Sequence, residues 1–93
     1  MFNAIALREK QAQIAALKQN FRKNPAAWRN LRNEFRRIRD ELTVLFFSAP
    51  TIEAGAPFEL EKRYLLSFAR EATDIIRQTT GETLPPSDLF RTR

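Results

Sequence analysis

From Leu7 to Leu45 apolar residues return with the period of a helix. Leu7, Ile14, Phe21, Trp28, Phe35 and Leu42 recur every seven residues, and Leu17, Leu31, Ile38 and Leu45 fill most of the positions three further on. Steps of seven and three stack side chains on one side of an α-helix, so this is the a/d seam that helices bury against one another. Asn24-Pro25 falls in its middle. Asparagine caps a helix N-terminus, proline suits the first helical position, and a residue before proline resists the α conformation. This predicts an antiparallel hairpin, with one helix over residues 3–22 and a second over 25–47. The heptad phase crosses the proline without a stutter, however, which a hairpin does not require. A second reading therefore stands beside the first: one long helix kinked at Pro25, with a partner chain along the seam to offset the roughly 3 kcal/mol that an internal proline costs.

The stretch Ser48 to Pro57 holds two of the five prolines and one of the two glycines and reads as a loop. A third helix is expected over 57–80, with Pro57 near its first position, Glu59 and Glu61 in the first turn and Gly81 as the left-handed stop. Its apolar face is Phe58, Leu65, Phe68, Ala72, Ile75 and Ile76, flanked by Leu60 and Tyr64. Pro85-Pro86 forbids further helix. The reading is thus one helical domain, 1–82, and a short tail, 83–93, which Leu89 and Phe90 can anchor. The residues expected to be buried are Ile14, Leu17, Phe21, Trp28, Leu31, Phe35, Ile38, Leu42, Leu65, Phe68 and Ile75. Such seams exceed what a small monomer readily encloses, so a homo-oligomeric bundle is expected.

Composition narrows the chemistry. Two glycines leave little room for β-hairpin turns, and the chain has no Cys and no His; thiolate nucleophiles, disulfides and the commonest acid/base group are excluded with them. No zinc-ligand set or Gly-rich phosphate loop occurs, so no metal and no cofactor is expected. Glu59 and Glu61, like Asp40 and Glu41, have no base or nucleophile beside them and read as capping and solubilising charges. The N-terminus lacks the apolar core of a signal peptide, and Leu42–Ile52, the longest apolar-rich stretch, is about half a membrane span. A cytoplasmic, non-enzymatic protein is expected.

Charge is concentrated rather than spread. Lys18 to Arg39 holds eight basic residues against the single acid Glu34, a net +7, so the remainder carries −2 of the chain's +5. With Trp28 as position a, Arg22, Arg29 and Arg36 fall at b and Arg32 and Arg39 at e, lining one flank of the seam. Arginine forks match carboxylate and phosphate, so the partner implied is an acidic protein surface or nucleic acid. The plainer alternative is a solvated flank tied up in i,i+4 pairs, Arg36 with Asp40 and Arg37 with Glu41. Arg29, Arg32 and Arg39 lack such an acid. Phe46 and Phe47, about 100° apart on a helix, cannot both enter one narrow seam, so one faces helix 3, a second subunit or a partner. A basic helix with a Trp can also lie on an anionic membrane, but helices 1 and 3 offer faces to cover it.

The run Asn33-Glu34-Phe35-Arg36-Arg37 is faintly similar to the second helix of the small Leu-Tyr-Arg-motif mitochondrial assembly factors. Their signature near the N-terminus is absent, and Lys62-Arg63-Tyr64-Leu65 lies in the wrong helix and order. No family is assigned on these residues. The functional expectation is a binding or regulatory module of the inhibitor or assembly-factor kind, contacting a macromolecule through Arg22, Arg29, Arg32, Arg36, Arg39, Phe46 and Phe47. The alternative is a nucleic-acid-binding protein using the same basic face across a dimer.

Overall fold

Asn3 opens the first helix by accepting a 3.1 Å hydrogen bond at its side-chain oxygen from the N–H of Ala6. The helix, α1 (Ala4–Lys23), ends where Asn24 turns extended ahead of Pro25. The computed structural model describes residues 3–91, which are 88% helical with no strand among them. α2 (Arg32–Ser48) returns antiparallel to α1: Lys10 pairs with Glu41, and Leu17 and Asn20 share a groove with Leu31 and Ile38. α3 (Ile52–Thr80) runs parallel to α1, with Gln11 bonded to Glu61 at 2.9 Å and Arg22 beside Glu71 at 3.8 Å. The result is an up-down-up bundle of 46 × 21 × 21 Å. The hairpin holds, and the long kinked helix does not.

Two boundaries differ from expectation. The second helix does not run unbroken from Pro25: Pro25–Leu31 forms a 3₁₀ segment whose winding slackens at Ala27 (φ −91°, ψ 21°), and α2 begins only at Arg32. A 3₁₀ turn is tighter than an α turn, and here it accompanies a corner in which Trp28 is 1% exposed; packing of the largest side chain prevails over local propensity. The third helix starts at Ile52, five residues before the expected Pro57. Thr51 caps it, accepting from the N–H of Ala54 at 3.1 Å, and Glu53 sits in the first turn where the macrodipole favours an acid. Pro57 lies inside the second turn. The bond that its missing N–H forgoes is the one to the carbonyl of Glu53, an exposed residue at the helix start where water can substitute.

Gly55 explains why the α2–α3 corner closes so tightly. A Cβ there would lie 3.1 Å from the Phe46 ring and 3.1 Å from its carbonyl oxygen, so any larger residue would push the two helices apart by a few tenths of an ångström. Gly81 performs the expected role: at φ 78° it ends α3, its N–H bonding the Arg77 carbonyl at 2.9 Å.

The core is filled by Ile14, Leu17, Phe21, Trp28, Phe35, Ile38, Leu42, Phe58, Leu65, Phe68, Ala69, Ala72, Ile76, Leu89 and Phe90. Leu31 and Ile75, expected inside, are only partly buried and pack on its edge. The Phe35 ring stacks on Phe68 at 6.2 Å and meets Phe90 edge-on at 5.6 Å, while Phe21 meets Phe68 edge-on at 5.7 Å. Leu89 and Phe90 come from a 3₁₀ turn, Pro86–Phe90, that folds the tail back onto α2 and α3. One chain therefore buries most of the seam by itself, with Leu7, Leu31 and Leu45 partly covered.

Candidate functional site

α2 turns its Phe35, Ile38 and Leu42 side inward. At about 100° per residue, Arg32, Arg36, Arg39, Phe46 and Phe47 all fall within about a 100° arc beside that buried face. Arg29, in the 3₁₀ segment, shares the Trp28 ring with Arg32 at the start of this stripe, whereas Arg22, at the end of α1, lies against Phe68 and Glu71 of α3. The seven residues singled out from the sequence thus come from three elements, and most of them meet along one side of α2.

Their side chains are more engaged than the sequence implies. The Arg29 and Arg32 guanidinium carbons lie 4.4 and 4.5 Å from the centroid of the Trp28 ring, and that of Arg39 lies 4.9 Å from Phe90. Arg22 and Lys18 both sit 5.5 Å from the Phe68 ring. Each cation covers an aromatic ring of the core, a contact worth about 0.5–1 kcal/mol where water still reaches it. Arg29 also grips Glu82 through two nitrogens, at 3.1 and 2.8 Å, a partner 53 residues away that no helical spacing reveals. The Nε atoms of Arg32 and Arg36 are buried, leaving the tips of those forks as the parts that a partner can reach.

The short-range pairs expected from sequence do not form. Asp40 pairs with its neighbour Arg39 at 3.0 Å rather than with Arg36, and Glu41 pairs with Lys10 rather than with Arg37. The reason is geometric: Lys10 occupies a d position of the α1 seam, where it is 6% exposed, and its ammonium must find an acid across the interface. Arg36 and Arg37 have no ion pair among the described residues.

Phe46 and Phe47 separate as their angular offset requires. Phe46 packs against the core edge beside Gly55, whereas Phe47 is 78% exposed, with the two rings 5.1 Å apart. Sequence reasoning missed Lys10, although a lysine at a d position is itself a signal. It also missed the exposed α3 residues near this corner, because residues 52–56 were read as loop. No family model, curated protein or solved structure matches the chain. Among the described residues no three metal-ligating side chains gather at one point, and no helix is long and apolar enough to cross a membrane.

Proposed function

We propose that this chain is a non-enzymatic binding or regulatory protein, of the inhibitor or assembly-factor kind, that contacts an acidic protein surface through the α2 stripe. The stripe consists of Arg32, Arg36, Arg39, Phe46 and Phe47, continued by Arg29 across the Trp28 ring; Arg22, expected with them, stands against Phe68 and Glu71 of α3. One observation carries the reading: guanidinium forks and a largely exposed phenylalanine share a single arc of one rigid helix. Arginine and aromatic residues are the types enriched at the energetic centres of protein interfaces, where an apolar anchor is ringed by charge-assisted hydrogen bonds. The ion pairs that Arg29 and Arg39 make now are surface pairs of about 0–1 kcal/mol, weak enough to exchange for a better-matched carboxylate.

The decisive variant is Arg36→Glu combined with Phe47→Asp. Both positions lie outside the core, and neither arginine contact to Trp28 is disturbed. A protein retained by the parent chain should be lost by this variant while the helical spectrum stays the same. The control is Arg70→Glu with Arg77→Glu on α3, where Arg77 already pairs with Asp74 at 3.5 Å; binding should survive it. If the control abolishes binding and the stripe variant does not, the stripe is only a cover for the core. Nucleic acid is the other outcome: binding to generic duplex DNA or RNA whose affinity falls steeply with salt in log–log form would replace the protein partner.

A further inference from the structure

The outward side of α3 carries an apolar ridge. Ile52, Ala56, Leu60 and Tyr64 follow at intervals of four, the spacing that aligns side chains into one ridge on a helix surface. Ile52 is 83% exposed, Tyr64 51% and Leu60 47%. Beside the ridge runs an open groove of about 390 Å³, lined by Phe46, Ile52, Ala56, Glu59, Leu60 and Arg63. The rim carries both signs: Arg63 is 3.7 Å from Glu59, and Glu53 makes no ion pair among the described residues. Meanwhile most of the Leu7-to-Leu45 seam is buried within one chain, with Leu7, Leu31 and Leu45 partly covered.

We propose that this ridge pairs antiparallel with the same ridge of a second copy, about a two-fold axis level with position 58. That operation sets Ala56 opposite Leu60, so small meets large at the centre, and Ile52 opposite Tyr64 at the two ends. Leu60 enters the gap above the partner subunit's Ala56, and Tyr64 reaches the groove beside the partner subunit's Ile52 and Phe46. It also sets Arg63 opposite the partner subunit's Glu53. Sliding the axis to position 61 sets Arg63 opposite the partner subunit's Glu59 instead, and no basic residue lies anywhere between 53 and 59. The charge pattern is therefore self-complementary across that range of registers, as an isologous contact demands. A phosphate backbone would meet Glu53 and Glu59 and be repelled.

The size of the surface sets the strength. At about 200 Å² for a fully exposed large side chain, the three residues offer roughly 350 Å² of apolar area. With the stems of Glu59 and Arg63 this is a small interface, of the kind that forms and dissociates readily. The pairing uses none of the arginines of the α2 stripe, and it is tested on the purified chain alone.

Sedimentation velocity across low to high micromolar concentrations should show the mass rising from one chain to two and no further. Leu60→Asp should shift the association by about tenfold or more to higher concentration, since it sets two carboxylates into the apolar contact. Its spectrum and unfolding curve at low concentration should match the parent, and Tyr64→Ser repeats the test by a different loss. Arg63→Glu should weaken association several-fold, and the charge swap Glu53→Arg with Arg63→Glu should restore it. A single-chain mass at all concentrations overturns the proposal. So does growth beyond two chains, a dimer indifferent to both Leu60→Asp and Tyr64→Ser, or a charge swap that recovers nothing.

Discussion

The Phe35 ring has no exposed surface and lies against Phe68 and Phe90, so three segments distant in sequence meet on one side chain. Truncating it removes both the transfer energy and the support of two other rings. Phe35→Ala should cost about 3–5 kcal/mol in urea unfolding, and a loss below about 1 kcal/mol would mean that the ring is not central. Lys10 tests a different term. It is 6% exposed, while the side chain of its partner Glu41 keeps 43% of its surface in water. Replacing the lysine with methionine leaves the glutamate hydrated and fills the d position with an apolar chain. Lys10→Met should stay within about 1 kcal/mol of the parent, whereas Lys10→Glu buries a second acid beside the first and should cost about 3–5 kcal/mol.

Among the elements, the α2–α3 corner is the most demanding. Only three residues, Ala49–Thr51, join the two helices, and Gly55 lets them approach to van der Waals contact with the Phe46 carbonyl. An alanine in a helix interior ordinarily gains about 1 kcal/mol over glycine. Here the methyl group meets backbone that so short a connection cannot easily move. Gly55→Ala should therefore destabilise, by about 1 kcal/mol or more, and a rise in melting temperature would show that the corner can open. The 3₁₀ segment follows the same logic: Pro25 begins a turn, but the burial of Trp28 decides that the turn is not simply the first turn of α2.

At the scale of the whole molecule the tail is a structural part of the bundle. Leu89 is 0% and Phe90 6% exposed, and Arg39 covers the Phe90 ring. A domain of this size has a total stability of only about 5–10 kcal/mol, so losing both anchors consumes much of it. Leu89→Ala with Phe90→Ala should lower stability by about 4 kcal/mol or more and leave a loosened bundle at 37 °C, measured by thermal melting. An unchanged melt would mean that α1, α2 and α3 close the core without the tail. The positive field is likewise a property of the assembled molecule: Glu82 and Glu71, from α3 and just beyond it, approach Arg29 and Arg22 and dilute the +7 that the segment carries by itself.

The sequence by itself determined the helical class, the a/d seam, the stop at Gly81 and nine of the fifteen core residues, because each depends on spacing or on the local conformational limits of Pro and Gly; at Asn24-Pro25 it left a break and a kink both open. Tyr64 and Leu60 were legible as flanking residues, but the ridge they form with Ile52 was not, since it exists only once Thr51, rather than Pro57, is known to start α3. What only the tertiary structure decided is what the cations do. Arg29 finds Glu82, Lys10 finds Glu41, and Arg22, Arg32 and Arg39 spread over Phe68, Trp28 and Phe90. Long flexible side chains choose among partners by distance in space, and the winning partners lie 31 to 53 residues away for the two ion pairs, beyond any periodicity that one helix imposes.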